Sequence, residues 1–330
     1  MVMRDYTRVT ILKKRRMTRF ADIIDAVKKY EPNTVAVAAA NDPDVLEAMR
    51  QFHAEDMGKG ILVGDEEKIR EAARDCGIET DIFEIVHADN AVEAARTATK
   101  LVRDGKADIL MKGYIHTDDF LRAILDKEIG LRVPGVMMSH VFIAENRAEN
   151  RLIFVTDSAM NIEPTLEQKA TIALNAVYLA RHLGYEKPKV GILAAVEVVN
   201  PAMPATIEAS CLSTMAKRRQ FSEPCEIDGP FGLDNAISVI AARKKHISGD
   251  IAGRCDVLVM PDIESGNILA KALVWLADIP MAGVLIGTTK PVVVTSRADT
   301  PVTRFNSLAV ATYMADMKRR LMLKIGKVRY

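Results

Sequence analysis

KPVVVTSRADTPVTRFNSLAVATY, from Lys290 to Tyr313, is the stretch around which the rest of the chain is read. Val292-Val293-Val294 is a continuous apolar run without polar alternation, the pattern of a strand buried on both faces in a parallel sheet. Ser296 and Arg297 fall where that strand should end. Asp299 or Thr300 then supplies a helix cap, and Pro301 suits the first helical position, where its missing N–H costs nothing. Val302, Phe305, Leu308, Ala309, Thr312 and Tyr313 recur at helical spacing, so a helix with one buried face is expected. A strand end that delivers a hydroxyl, a guanidinium and a helix N-terminus to one point can hold an anion. Spacing alone leaves open the alternative of a salt-bridged arginine in an ordinary strand-to-helix turn.

Upstream, the same alternation repeats. Helix-like Met17–Lys29 precedes an apolar run at Thr34–Ala39, and Asn41-Asp42-Pro43 starts the next helix. Strand-like Ile61–Gly64, Ile82–His87 and Ala107–Met111 alternate with helical Glu66–Cys76, Ala91–Val102 and Thr117–Leu125. This is the signature of a mostly parallel sheet covered by helices on both faces. A polar loop at Glu145–Arg151 suggests a domain boundary. Alternation then resumes through Leu152–Thr156, Pro164–Arg181, Val190–Val196 and Ala205–Ala216. Glu226–Pro230 reads as a turn before a helix that runs through Ala242. Val257–Met260 is strand, Asn267–Ala277 helix and Val284–Ile286 strand. No internal repeat or low-complexity segment stands out.

The 330 residues suit two domains or one large one. Apolar residues make up 49% and aromatic ones only 5%, which points to an aliphatic core. A net charge of +1 gives no bulk reason to expect nucleic acid, and the run Lys13-Lys14-Arg15-Arg16 reads as a solvated arm. No apolar run is long enough for a membrane span, and no signal peptide is evident. Cys76, Cys211, Cys225 and Cys255 show no metal spacing and read as buried free thiols of a cytoplasmic protein.

Other stretches can carry chemistry. Pro261-Asp262-Ile263-Glu264-Ser265-Gly266-Asn267 follows a strand and opens a helix; Ser265 can cap it, Gly266 can admit a ligand to the backbone, and Asn267 follows. A plain capped turn explains the same residues. Lys112 leaves the 107–111 strand and can meet a phosphate or simply be solvated. Arg122 lies among Phe120, Leu121 and Ile124, so its charge must pair or reach water. His116 and His140 are the histidines nearest these loops. Asp157, Asp228, Asp262 and Asp299 are scattered, and no metal motif or glycine-rich dinucleotide fingerprint appears, so no metal is expected.

Taken in order, ILVGD (61–65), ADILMKGYIHT (107–117), MMSHVFI (137–143), VTDSAMNIEPT (155–165), EIDGPFGLDNA (226–236), PDIESGN (261–267) and KPVVVTSRAD (290–299) resemble the phosphate acetyl/butyryltransferase family. MKG and TSRAD are more similar to the butyryl branch. The resemblance implies reversible acyl transfer between acyl-CoA and inorganic phosphate, giving acyl phosphate, with coenzyme A as a substrate and no permanently bound cofactor. It implies a two-domain α/β fold with mostly parallel sheets and an intervening cleft, like the isocitrate and isopropylmalate dehydrogenases. The first, discontinuous domain would be 1–143 plus 294–330 and the second 144–293, in a homodimer with no membrane or nucleic-acid partner. Ser296 would stabilise the oxyanion, Arg297 and Arg122 would hold phosphate, and Lys112, Ser265, Gly266 and Asn267 would contact substrate. The family aspartate that takes the thiol proton falls on Thr303 here, and Asp299 is the nearest acid. Met137, Met138 and Met160 lie in stretches that either line a butyryl-type pocket or are ordinary core. The alternatives are a phosphate acetyltransferase, a non-catalytic binder of acyl-CoA or acyl phosphate, and an NAD-dependent dehydrogenase on the same fold.

Overall fold

The computed structural model describes residues 15–321 and residue 328. Eleven strands among the described residues form one sheet. They are β1 (Asn33–Ala38), β2 (Gly58–Gly64), β3 (Glu84–His87), β4 (Ile109–Lys112), β5 (Ser139–Asn146), β6 (Arg151–Thr156), β7 (Lys189–Leu193), β8 (Glu226–Phe231), β9 (Val257–Val259), β10 (Met281–Ile286) and β11 (Val292–Val293). Helices α1 (Phe20–Val27), α2 (Pro43–Ala54), α3 (Glu66–Asp75), α4 (Ala91–Arg103) and α5 (Thr117–Leu125) belong to the first part of the chain. Helices α6 (Leu166–His182), α7 (Pro204–Lys217), α8 (Leu233–Ile237), α9 (Val239–Lys244), α10 (Ile263–Trp275) and α11 (Pro301–Leu321) follow.

Strand order is β3-β2-β1-β4-β11-β10-β5-β6-β9-β7-β8. The α/β alternation expected from the sequence is therefore present, and seven of the ten ladders are parallel. The two parallel halves run in opposite directions, because the antiparallel ladders β11/β10, β10/β5 and β5/β6 stand between them. Register lays Met111, Val293, Val284, Val141 and Thr156 in one row across the sheet. The loops that leave β4, β11 and β6 thus start within a residue or two of that row. In the first half the order turns back between β1 and β4, the kind of switch point where open α/β sheets bind ligands.

Several expectations change. Glu226–Pro230 is not a turn but most of β8. As the outermost strand it tolerates Pro230, whose missing donor would be costly in an inner strand. The polar loop of 145–151 shrinks to a tight hairpin between β5 and β6, and residue 143 lies inside β5. Helix α11 is buried nearly all round from Thr303 to Met317, because it packs against β10, α2 and α1. Val302, read as part of its buried stripe, is exposed. Two of its polar positions are satisfied inside the protein: Ser307 Oγ donates to the Thr303 carbonyl and accepts the Gly283 N–H, and Tyr313 Oη donates to the His182 carbonyl. The cysteines are free, but Cys76 and Cys211 are exposed and only Cys255 is fully buried. Lys13 and Lys14 lie outside the described residues; Arg15 and Arg16 are exposed, and Arg16 also pairs with Asp256 at 2.9 Å and lies over the Tyr185 ring.

Candidate active site

β11 ends at Val293, and Val294–Thr300 crosses to α11. Thr300 is the cap: its hydroxyl accepts the Thr303 N–H at 3.3 Å, and its carbonyl takes the Arg304 N–H. Asp299 is therefore free for another task. Its Oδ2 accepts the Ser296 backbone N–H at 2.7 Å, which closes the 296–299 turn. Ser296 Oγ accepts a long bond from the Ala298 N–H, leaving the hydroxyl proton to donate elsewhere. Ser296 and Asp299 both line a cavity of about 280 Å³ with Thr117 of α5, Phe142 of β5, Asn267 and Ala270 of α10, and Met281 of β10.

Lys112, the last residue of β4, is 1% exposed. Its Nζ makes only two long bonds, 3.4 Å each, to the carbonyls of Gly113 and Thr295. Burial pushes its pKa down to about 8, and the Arg304 and Arg297 guanidinium groups push the same way. Burial likewise raises the Asp299 pKa above the usual carboxylate value, against the Ser296 hydrogen bond and the nearby Arg304, His140 and Lys112. Arg304 is also 1% exposed. It donates from Nε to the Asp299 carbonyl at 3.1 Å and from Nη2 to the Arg297 carbonyl at 3.2 Å, and it faces Asp42 Oδ1 at 3.6 Å. Asp42 also caps α2 through the Val45 N–H. Arg304 thus fastens the 295–299 loop to the end of β1. Three cations, Lys112, Arg297 and Arg304, gather with two carboxylates, Asp42 and Asp299, so the locus carries a surplus of positive charge suited to an anion.

The other side of the site comes from the second half of the sheet. Asp157 follows β6 and spends both carboxylate oxygens on the loop: Oδ1 accepts from the Ala159 and Met160 N–H groups, Oδ2 from the His140 N–H and the Asn161 amide. Asp262, not Ser265, caps α10, accepting the Ser265 N–H at 2.8 Å; the Ser265 hydroxyl is itself turned onto Asp262. Asp262 stands just before the first helical residue, the cap position from which a carboxylate reaches the third amide. Gly266 serves close packing: a Cβ there would sit 2.3 Å from the Asp157 carbonyl. Asn267 does line the cavity and donates to the Ser158 carbonyl.

The structure therefore brings Ser296, Asp299 and Asn267 together at the cavity, with Lys112 buried behind the loop. Arg297 is exposed at its edge, 5.8 Å from the Tyr114 ring centroid. Arg122 is apart from them. Its side chain is 75% exposed and donates to Asp119 at 2.6 Å. Met137, Met138 and Met160 pack against the main cores, and none of the three lines this cavity. No group of three or more His, Cys, Asp or Glu side chains able to hold a metal occurs among the described residues.

The family described as "Phosphate acetyl/butaryl transferase" matches residues 19–97 and 88–312. The chain is 45% identical over 299 residues to a phosphate butyryltransferase of Clostridium acetobutylicum, covering 91% of this chain and 99% of that one. It is 43% identical over 281 residues to a phosphate acetyltransferase of Thermotoga maritima, covering 85% and 95%. The crystal structure of a branched-chain phosphotransacylase from Enterococcus faecalis V583 superposes with a TM-score of 0.75 at 32% identity, covering 86% of this chain and 99% of that one. The chain belongs to the phosphate acetyl/butyryl transferase family.

In this phosphate acyltransferase Arg304 escaped the reading of the sequence, whereas His140 is one of the two histidines that the sequence places nearest the site loops. Arg304 sits beside Phe305 in a helix otherwise read for its apolar stripe, and nothing local marks its side chain as buried. His140 is wholly buried, with Nε2 donating to the Val294 carbonyl at 3.0 Å and Nδ1 left without a partner. A carbonyl only accepts, so Nε2 carries the proton. Burial holds the imidazole pKa below its ordinary value, against the pull of Asp157. His140 thus reads as a neutral prop under the strand end.

Proposed function

We propose that the chain transfers acyl groups reversibly between acyl-CoA and inorganic phosphate, through a ternary complex in the cavity beside Ser296. The observation that carries this reading is the meeting of Ser296, Asp299 and an apolar wall in one cavity, next to a buried lysine and an exposed arginine. In the direction of acyl-CoA formation, the coenzyme A sulfur bonds to the acyl phosphate carbonyl carbon. The carbon–oxygen bond to phosphate breaks, and the thiol proton passes to Asp299 and then to solvent or the departing phosphate. A carboxyl whose pKa is raised by burial is a better base than an ordinary one, so Asp299 offers the proton acceptor that Thr303 cannot. The Ser296 hydroxyl donates to the developing oxyanion. Arg297 and Lys112 hold the phosphate, Arg297 by its fork and Lys112 as a point charge. Asn267 orients the substrate; Ser265 and Gly266 shape the turn that carries it. Arg122 belongs to the same proposal as an outer phosphate contact, one that must first release Asp119.

A butyryl-type substrate is favoured over acetyl, on the likeness of MKG and TSRAD and the apolar side of the cavity. Phosphate-dependent release of free thiol from a panel of acyl-CoAs tests the whole reading. The expected result is turnover with kcat/KM about tenfold higher for butyryl-CoA than for acetyl-CoA. Absence of thiol release with every acyl-CoA overturns the function; preference for acetyl-CoA overturns only the chain length. Two lobes, 1–143 with 294–330 and 144–293, a homodimer and a cytoplasmic setting complete the proposal. No helix among the described residues is long and apolar enough to cross a membrane. Light scattering of the purified protein tests the dimer.

A further inference from the structure

The cavity has two unlike sides. Ser296, Asp299, Thr303 and Asn267 make one; Phe142, Ala270, Val274 and Met281 make the other. The apolar side is part of a small, separate cluster in which Ala144, Ala270 and Met281 are buried, with Phe142 and Val274 packed against them. Phe142 and Met281 lie on neighbouring strands and on the same face of the sheet, two register steps apart, since Met281 pairs with Ala144 and Gly283 with Phe142. Ala270 and Val274 are one helical turn apart on α10, so they present a single ridge. At about 280 Å³ the space is at the lower end of small-molecule sites, which run from roughly 300 to 1,000 Å³. It suits the reacting end of a substrate rather than the whole of coenzyme A.

We propose that Ala270 and Val274, facing Phe142 and Met281, form the acyl-chain wall, and that the small side chain of Ala270 is what admits a four-carbon or branched acyl group. An acyl carbonyl held at Ser296 points its chain away from the charged groups and toward that wall, which Trp275 extends along α10. Each methylene buried there is worth roughly fourfold in kcat/KM, so the two that separate butyryl from acetyl give somewhat more than about tenfold. A leucine at position 270 fills the space those carbons need. Overpacking penalises the longer chain more than the shorter. Val274 lies one turn further along α10 and is only half-buried, so its truncation lengthens the pocket at little risk to folding. The inference rests on the acyltransfer reading above.

The test measures phosphate-dependent thiol release from acetyl-, butyryl- and hexanoyl-CoA by wild type, Ala270→Leu and Val274→Ala, with thermal unfolding of each protein recorded alongside. Ala270→Leu is expected to lower the butyryl-to-acetyl ratio of kcat/KM by about tenfold. Val274→Ala is expected to raise the hexanoyl-to-butyryl ratio by roughly fourfold or more. Ratios within twofold of wild type in active, folded variants overturn the wall while leaving the acyltransferase reading intact. If Ala270→Leu does not fold, the Val274→Ala ratio decides alone. A wild-type protein that releases no thiol from any of the three overturns both readings.

Discussion

Replacing Lys112 by methionine separates what the site needs from what the fold needs. The side chain is 1% exposed, and its pKa falls from 10.5 to about 8 mainly through burial. Keeping that ammonium in the folded chain at neutral pH costs about 3 kcal/mol. The cost is fully present below about pH 8, where folded and unfolded chains both carry the proton. Between about 8 and 10.5 the unfolded chain binds more protons than the folded one, so wild-type stability rises with pH and the cost fades. Methionine fills a similar volume without charge. It gives up two long hydrogen bonds to the Gly113 and Thr295 carbonyls, a loss of about 1 kcal/mol together. Lys112→Met is therefore expected to be more stable than wild type at pH 7 by about 2 kcal/mol, a few degrees in Tm. Thermal unfolding at pH 7 and pH 9.5 checks this, with the gap between the two proteins shrinking at the higher pH. In the same variant kcat/KM for phosphate should fall by about 10- to 100-fold, the worth of one unit charge held just behind the phosphate site. A variant no more stable than wild type at pH 7, with a gap indifferent to pH, refutes the burial reasoning. Unchanged phosphate kinetics in that variant refutes the anion role.

Ser296→Ala should lower turnover by about 100- to 1000-fold while coenzyme A still binds, as calorimetry and single-turnover kinetics can show; a trapped acyl-Ser296 in wild type would contradict the oxyanion role. Arg297→Lys keeps the charge but loses the fork, so the phosphate KM should rise. Arg122→Ala should raise it less, because Arg122 is largely exposed and already paired with Asp119. An effect of Arg122→Ala that exceeds that of Arg297→Lys would reverse their order. Arg304→Leu leaves Asp42 buried without its cation and frees the 295–299 loop, so a loss of about 3 kcal/mol or more in unfolding free energy is expected by denaturant titration. Stability equal to wild type would show that the loop holds itself.

The α/β class, the order of most elements and the strand–loop–helix at 292–321 were legible because they rest on local signals. Apolar runs, helical spacing, Asp42 before Pro43 and Thr300 before Pro301 act over a few residues, and the chemistry of a cap or a proline is the same in any fold. The sequence likewise placed Ser296 and Asp299 just after a strand and Asn267 at the start of a helix, and the structure puts those three at one cavity. Elsewhere local reading misled. Pro230 looked like a turn because its tolerance depends on β8 being an edge, which no local pattern reveals. Ser265 and Asp262 are both good caps, and only the direction of the chain as it leaves β9 chose between them.

The sequence by itself determined the elements and the residue types that acyl transfer uses. Tertiary structure alone decided which of them meet. Lys112, Asp42 and Arg304 are separated by up to 262 positions, and their charges converge because β1, β4 and β11 end side by side. The cavity exists because three antiparallel ladders reverse the second half of the sheet, so the loop after β6 and helix α10 face the loop after β11. The methionines singled out for an acyl pocket went into the core, and Phe142, Ala270, Val274 and Met281 took the place beside the cavity. Periodicity reports that a side chain is buried, since hydrophobic burial has no direction. Which neighbours it finds, and whether they leave a space, depends on how distant strands are ordered and in which sense they run.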